Sequence, residues 1–182
     1  MKVPEYFQKM RGSTHTHLPR VNNSEIIWSW IGGFCGIAVV AWLDHLFFAG
    51  TDLSLMIASF GASAVLVYGA VRSPLAQPRN LVGGHFVSAI VGVICWKLFH
   101  PYPALAQAIA VASAIATMHF TRTLHPPGGA TALNAVIGSA ALHKLGFWYV
   151  IMPATLGPLI LLVVAVLVNN IPATRKYPEI WF

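Results

Sequence analysis

The sequence predicts an all-α polytopic membrane protein, a helical bundle of about six apolar segments with an internal helix–hinge–helix repeat. Hydrophobic residues make up 57% of the 182 residues and charged residues only 9%, whereas a soluble domain carries roughly 25% charged residues. Apolar runs of membrane-spanning length follow one another along the chain, and polar hinges rich in proline and glycine separate some of them. Similar residues recur around two of these hinges.

Three regions are expected. Residues 1–24 form a polar, basic tail without the apolar core of a signal peptide, residues 25–170 form the transmembrane domain, and residues 171–182 form a short C-terminal tail. We attribute the net charge of +6 to membrane topology, because the basic residues do not form the clusters with interleaved aromatics that bind nucleic acid. Cys35 and Cys95 lie in apolar runs, which favours buried thiols over a disulfide or a metal site.

Six apolar segments are predicted, and they cover residues 26–49, 53–71, 81–96, 102–121, 128–142 and 147–168. A straight helix needs about 20 residues to cross about 30 Å of hydrocarbon. The segments reach that length alone or with their flanks, except the fifth, which has only 15 residues. The fifth segment is therefore expected to tilt, to lie in a thinned part of the bilayer, or to be a half-span buried in protein.

The positive charges favour six crossings with both termini in the cytoplasm. Nine of the 11 Lys and Arg residues then lie on the cytoplasmic side, and only Lys97 and Lys144 lie outside. If the fifth segment does not cross, the split becomes eight to three, which is poorer. We expect an integral protein of a bacterial inner membrane.

Self-comparison predicts an internal repeat. Residues 62–72 align without gaps on residues 112–122, and residues 83–92 align on residues 128–138 with one gap. Each unit contains Ala-Ser-Ala, an arginine, a glycine pair, and then Ser or Asn followed by alanine, two β-branched residues and glycine in the same order. Parallel repeats of this kind would place both hinges at the same face of the membrane.

The stretch RTLHPPGG, residues 122–129, contains the features of an anion site at a helix start. Pro126 and Pro127 end one helix and begin the next. Gly128 and Gly129 are expected to leave the amides of that first turn unobstructed, and such amides have no intrahelical acceptor. A purely structural hinge is the open alternative, because prolines and glycines build turns and the positive-inside rule alone places arginines there.

The predicted binding residues combine hinge cations, helix-start residues and polar residues within the spans. They are Arg72, Arg79, Asn80, Gly83, Gly84, His85, Arg122, His125, Gly128, Gly129, Thr131 and Asn134. His85 either binds a proton or an anion, or it makes a hydrogen bond between helices. Asn134 aligns with Ser88 in the repeat, and the two are expected to face each other near the midplane. They would bond between helices or line a pore.

Two motifs carry a family resemblance. LHPPGGATAL, residues 124–133, resembles the signature of the HPP family of integral membrane proteins, and SPLAQPRNLVGGH, residues 73–85, is similar to its second recurring block. The resemblance covers roughly residues 30–170 and implies an HPP-type transmembrane domain. Members of this family are regarded as transporters, and plant chloroplast members are associated with nitrite transport. The resemblance therefore implies transport, with nitrite as a substrate.

We expect a transporter or channel for a small inorganic anion, with nitrite preferred and the site near the two cytoplasm-facing hinges. Nitrite is small and monovalent and accepts hydrogen bonds on all three atoms. The alternative is a non-transporting membrane component whose hinges bind a cytoplasmic partner. The sequence contains no catalytic constellation, metal-ligand spacing or cofactor motif, so an enzyme is not expected. Gly32 and Gly36 favour close helix packing, either within the chain or in a homo-oligomer.

Overall fold

The computed structural model describes residues 9–10 and 20–182, so most of the predicted tail, residues 1–24, lies outside the described residues. The described part from residue 20 onwards consists of helices joined by turns. In chain order the elements are α1 (Asn23–Phe48), α2 (Ser59–Ala64) continued by a π-helical turn (Val65–Gly69), a 3₁₀ turn (Pro74–Ala76), α3 (Pro78–Phe99), α4 (Pro103–Phe120), α5 (Pro127–Ile137), α6 (Ala140–Leu145), α7 (Trp148–Ile151) and α8 (Leu156–Asn169).

Among the described residues, four helical stretches are long and apolar enough to cross a membrane. They are α1, α3, α4 and the α7–α8 pair, which together cover Trp148–Asn169. This confirms the helical membrane class and the four corresponding predicted segments. The α7–α8 pair is interrupted around Pro153, where the chain leaves helical geometry between Ile151 and Leu156.

The other two predicted segments contain only half-length helices, so six full helical crossings are not confirmed. The helix within segment 53–71 covers only Ser59–Gly69, and segment 128–142 contains α5, which has 11 residues. At 1.5 Å per residue, such a helix is roughly 16 Å long, about half the hydrocarbon thickness. A half-span was one of the alternatives predicted for segment 128–142. The prediction of a full-length helix over segment 53–71 was wrong.

Segment 53–71 is shortened because its first six residues are held in a non-helical conformation by an acidic side chain of α1. The hydroxyl of Ser54 donates to Asp44 Oδ1 over 3.0 Å. The backbone N–H groups of Leu55 and Met56 donate to the same oxygen. A carboxylate thus satisfies amides that a helix would otherwise have paired, and the helix begins only at Ser59.

The structure does not confirm the internal repeat. The first predicted unit consists of a short helix followed by a long one, α2 and α3, whereas the second consists of a long helix followed by a short one, α4 and α5. The shared feature is local. Both α3 and α5 start with a proline at the first helical position, Pro78 and Pro127, where the missing N–H costs nothing.

Glycines allow the closest contacts between the helices. A Cβ atom at Gly32 or Gly36 of α1 would lie 2.7 or 2.2 Å from atoms of Tyr68, and one at Gly157 of α8 would lie 2.1 Å from the ring of Phe60. These distances are too short for any side chain, so the two aromatic rings occupy the space that the glycines leave. The predicted small-residue contact of α1 is therefore made within the chain.

The C-terminal segment, residues 170–182, packs against the end of the bundle that holds both hinges, which we call the hinge end. Arg175 is buried, and its Nε lies 2.8 Å from Glu25 Oε2 of α1. It also donates to Asn169 Oδ1 over 3.2 Å. The hydroxyl of Tyr177 donates to the carbonyl of Ala76 over 2.8 Å, and burial raises the pKa of this phenol, which keeps it a neutral donor.

Candidate functional site

Three of the predicted arginines line one cleft at the hinge end, which we call the hinge cleft. Its volume is about 250 Å³. The lining combines the first hinge (residues 70–77), the second hinge (residues 121–126), the start of α3 and the C-terminal segment, through Arg72, Pro74, Gln77, Arg79, Asn80, Arg122, Glu179, Ile180, Trp181 and Phe182. Three arginines and one glutamate are among these residues, so the formal charge of the lining residues is positive.

Backbone carbonyls position two of the three arginines. Arg72 Nη2 donates to the carbonyl of Thr174 over 3.1 Å, and Arg79 Nη2 donates to the carbonyl of Thr121 over 3.0 Å. A guanidinium group has five N–H donors, so a single bond of this kind orients the side chain without exhausting its capacity. Asn80 donates to the carbonyl of Leu124 over 2.8 Å and so ties α3 to the second hinge.

Arg122 occupies a backbone position that normally favours glycine. It is the non-glycine residue with positive φ, 57°, in the described part of the chain. The N–H of Arg122 donates to the carbonyl of His119, and the N–H of Thr123 donates to the carbonyl of Met118. This is the Schellman arrangement, in which the residue after the helix adopts a left-handed conformation. An arginine in this conformation is less stable than a glycine would be.

The glycine pair of the second hinge does not present free amides, which corrects the expectation from the sequence. The N–H of Gly128 donates to the carbonyl of His125 over 2.8 Å, and the N–H of Gly129 donates to the carbonyl of Pro126 over 3.0 Å. A Cβ atom at Gly128 would lie 2.7 Å from Ser88 Oγ. Gly128 therefore serves close packing of α5 against α3, and the first turn of α5 is not an open anion site.

A second cluster lies in the interior, between α2, α3, α5 and the second hinge. We call it the histidine chain, and its buried members are Ser59, Ser63, His85, His125 and Thr131. Ser63 Oγ lies 2.7 Å from His85 Nε2 and 2.9 Å from His125 Nε2. His85 Nδ1 lies 2.6 Å from Thr131 Oγ1, which lies 3.0 Å from Ser59 Oγ. His125 Nδ1 lies 2.8 Å from the carbonyl oxygen of Leu75 in the first hinge.

Small residues and half-length helices bring this cluster together. A Cβ atom at Gly84 would lie 2.5 Å from His125 Cβ and 2.8 Å from the carbonyl oxygen of Thr123, so only glycine lets the second hinge approach α3 this closely. A Cβ atom at Gly83 would likewise lie 2.7 Å from the side chain of Thr123. The ring of Phe60 meets that of His85 edge to face, with centroids 5.5 Å apart. Each predicted glycine of α3 therefore has a packing role.

The structure brings together some predicted site residues and separates others. His85, His125 and Thr131 meet in the histidine chain, whereas Arg72, Arg79, Asn80 and Arg122 meet in the hinge cleft. Gly129 borders an apolar groove between α4 and α5. Ser59 and Ser63 were not predicted. Ser63 is the serine of the first Ala-Ser-Ala, which the sequence indicated only as part of a repeat.

Ser88 and Asn134 do not face each other as the repeat predicted. Ser88 lies against Gly128, at the hinge end of α5. Asn134 lies nearer the other end of that helix, where its Nδ2 is 3.4 Å from the hydroxyl of Tyr149. That hydroxyl donates to the carbonyl of Thr131 over 2.9 Å. The prediction failed because α3 and α5 are not equivalent members of two repeats.

Asn134 also lines a pocket at the end of the bundle opposite the hinges, which we call the far pocket. Its volume is about 220 Å³. The lining comes from the non-helical segment before α2, from the ends of α5 and α6 and from Pro153, and consists of Asp52, Leu53, Ser54, Met56, Ile57, Ala58, Asn134, Gly138, Ser139, Leu142, Leu145 and Pro153. The hinge cleft and the far pocket thus lie on either side of the histidine chain.

These features define a polytopic helical membrane protein in which two half-length helices meet at a buried polar cluster. The chain belongs to the HPP family, because the family model described as "HPP, transmembrane region" matches residues 18–178. A transmembrane protein of Dictyostelium discoideum is 45% identical over 181 residues, which cover 98% of this chain and 58% of that protein. A second transmembrane protein of the same organism is 41% identical over 186 residues, which cover all of this chain and 65% of that protein. The chain thus spans less than two thirds of either relative, and no solved structure matches it.

Proposed function

We propose that this protein carries a small monovalent anion across its membrane, with nitrite as the preferred substrate and the hinge cleft as its binding site on one side. The observation that carries this proposal is the convergence of Arg72, Arg79 and Arg122 on one cleft of about 250 Å³. The resemblance of both hinge motifs to a family with members associated with nitrite transport supports it. The activity proposed is permeation rather than catalysis.

The electrostatics of the cleft favour an anion. Three arginines and one glutamate, Glu179, are among the residues that line it. A cleft lined by one sign of charge between low-dielectric walls raises the local concentration of the opposite ion, and rings of arginine or lysine select anions in pores. Nitrite fits such a site because each of its three atoms accepts a hydrogen bond from a guanidinium N–H.

The half-length helices indicate where the anion would cross. Discontinuous helices are the usual location of substrate sites in transporters, because they place backbone ends and polar side chains inside the protein. Here α2 and α5 meet between the hinge cleft and the far pocket, and the residues between these two spaces are buried. We infer that the anion passes by a conformational change that opens one side at a time, rather than through a permanently open pore.

We propose that the hinge end faces the cytoplasm. Three arginines line its cleft, whereas Lys97 and Lys144 follow Trp96 and His143, whose rings stack at the other end with centroids 4.1 Å apart. The positive-inside rule assigns the side with more Lys and Arg to the cytoplasm. The bacterial inner membrane stays a prediction from the sequence, and the two relatives come from Dictyostelium discoideum.

Anion flux into liposomes that contain the purified protein tests this function. We expect nitrite uptake above that of empty liposomes, and we expect Arg122→Gln to reduce it at least tenfold. Lys144→Gln is the matched control, since it removes one exposed cation at the opposite end. Nitrate, formate and chloride in parallel measure selectivity. If folded wild-type protein shows no flux, anion transport is wrong, and the alternative of a component that binds a cytoplasmic partner takes its place.

A further inference from the structure

We propose that the hinge end contains a second binding site, beside the hinge cleft, that holds the phosphate group of an anionic phospholipid. The site is a cleft at the start of α1, which we call the side cleft, and its volume is about 420 Å³. The start of α1, the first hinge and the C-terminal segment line it. This inference concerns lipid recognition and does not depend on the proposed anion transport.

The formal charge of the side cleft is positive even after its internal ion pair is taken into account. Arg72, Arg175 and Lys176 line the cleft together with one acidic residue, Glu25. Arg175 Nε lies 2.8 Å from Glu25 Oε2, so these two charges neutralise each other. The charges of Arg72 and Lys176 remain, which leaves the lining residues with a formal charge of +2. An anion is the ligand that such a cleft favours.

Arg175 forms the wall of the side cleft rather than a contact for the ligand. A guanidinium group has five N–H donors, and Arg175 makes five hydrogen bonds within the protein. Its acceptors are Glu25 Oε2, the carbonyl oxygens of Glu25 and Tyr68, Asn169 Oδ1 and Ser29 Oγ. These bonds hold the C-terminal segment against α1, so the shape of the cleft does not depend on a ligand.

Other polar groups of the lining have donors that the protein does not use. Arg72 uses one of its five N–H donors, on the carbonyl of Thr174. Lys176 is exposed and makes no hydrogen bond or ion pair with the described part of the chain. The hydroxyl of Ser73 accepts from the N–H of Leu75, and no described residue accepts its hydrogen. The charged oxygens of a phosphodiester only accept, and they therefore complement these donors.

An apolar stripe on α1 continues from the side cleft along the outside of the bundle. Asn22, the N-cap residue of α1, lines the cleft. Ile26, Trp30 and Phe34 follow at intervals of four residues, which places each about one turn beyond the one before. Their exposed fractions are 57%, 68% and 60%, and the rings of Trp30 and Phe34 stack with centroids 5.4 Å apart. The stripe offers an acyl chain an apolar surface that begins at the cleft.

The dimensions of the side cleft and the stripe together fit a phospholipid. Residues 22–34 extend about 18 Å along α1 at 1.5 Å per residue, and one leaflet supplies about half of the roughly 30 Å of hydrocarbon. A phosphate in the cleft would therefore place an acyl chain along the stripe. A free phosphate ion would leave the stripe unused, which is why we assign a lipid. Basic pockets beside membrane-spanning helices bind anionic headgroups in other proteins.

Lys176 is the residue at which this site can be tested separately from the hinge cleft. Arg72 lines both clefts, so a substitution there would alter both. Lys176 lines the side cleft but not the hinge cleft. Its side chain is exposed, so reversing its charge should leave the fold intact.

Lipid binding is measured on the purified protein in micelles of a neutral detergent, as the rise in Tm during a titration. The probes are dioleoyl phosphatidylglycerol, dioleoyl phosphatidylcholine as the lipid without net charge, and inorganic phosphate as the source of phosphate without acyl chains. We expect phosphatidylglycerol to bind about tenfold more tightly than phosphatidylcholine, which corresponds to about 1.4 kcal/mol. Inorganic phosphate at the same concentrations should leave the Tm unchanged.

Two pairs of variants test the two parts of the site. Lys176→Glu should weaken phosphatidylglycerol binding about tenfold, whereas Lys144→Glu, the matched reversal of an exposed lysine at the opposite end, should not. Trp30→Ala should weaken binding of the same lipid severalfold, because it removes the largest apolar side chain of the stripe. Trp42→Ala is its control, since Trp42 is an exposed tryptophan of the same helix about 18 Å further along.

The possible results lead to different conclusions. Equal affinity for phosphatidylglycerol and phosphatidylcholine would overturn recognition of an anionic headgroup. Inorganic phosphate that binds as tightly as phosphatidylglycerol would overturn the assignment of a lipid. Equal losses in Lys176→Glu and Lys144→Glu would show attraction to the overall charge and overturn the side cleft as the site. Anion flux is measured separately, so none of these results decides the proposed transport.

Discussion

Replacing Arg122 with glycine separates the two contributions of this residue, its backbone conformation and its charge. Arg122 has a φ of 57° and follows α4 in a Schellman arrangement, where glycine is the usual residue. Its side chain is exposed and lines the hinge cleft. Glycine should therefore remove the cost of the left-handed conformation and also remove the positive charge. Stability is expected to rise, and anion flux is expected to fall.

The expected gain in stability is small but measurable. A left-handed conformation costs an L residue about 1–2 kcal/mol, and glycine has no such cost. Glycine also makes the unfolded chain more flexible, which offsets roughly 0.5–1 kcal/mol of the gain. The net stabilisation is about 0.5–1 kcal/mol, which corresponds to a rise in Tm of roughly 1–4 °C for a chain of this length.

Arg122→Ala is the reference, since it removes the same charge but retains the left-handed strain. We expect Arg122→Gly to unfold at a higher temperature than Arg122→Ala in detergent micelles, and both to lose the same fraction of nitrite flux. A glycine variant that is less stable than the alanine variant would refute the backbone argument. Full flux in either variant would remove Arg122 from the mechanism.

Three further predictions concern stability and topology. Gly157→Ala should lower the free energy of unfolding by about 1–3 kcal/mol, because its Cβ would lie 2.1 Å from the Phe60 ring; an unchanged urea midpoint contradicts this. Arg175→Met should cost about 3 kcal/mol by the same measurement, since it leaves a partly buried carboxylate unpaired. Single cysteines at Ser73 and Lys144 should react with a membrane-impermeant thiol reagent from opposite sides, and labelling of both from one side would overturn the crossing arrangement.

The class of protein and the long helices could be predicted from the sequence because they depend on local composition. A run of about 20 apolar residues buries its backbone polar groups only as a helix when lipid surrounds it. The positions of α1, α3, α4 and the α7–α8 pair follow from this rule. The hinges were also predictable, since proline at the first helical position of α3 and α5 determines where these helices can begin.

The half-length of α2 could not be predicted, because the residues that precede it are as apolar as those of the helix. Residues 53–58 remain non-helical in the folded chain because Asp44, about ten residues earlier, accepts hydrogen bonds from this stretch. Hydropathy contains no information about such a pairing. Within a membrane, non-helical backbone is tolerated only where the protein supplies the hydrogen bonds that lipid cannot.

The sequence alone determined that this chain is a helical membrane protein of the HPP type, with arginines and glycines concentrated at two proline-rich hinges, because these are properties of residue type and spacing. Only the tertiary structure decided what those residues do. Ser63 meets His85 and His125 from 22 and 62 positions away, and three arginines on separate segments meet at one cleft. Contacts of this kind depend on how helices of unequal length pack, and packing follows from shape complementarity across the whole chain.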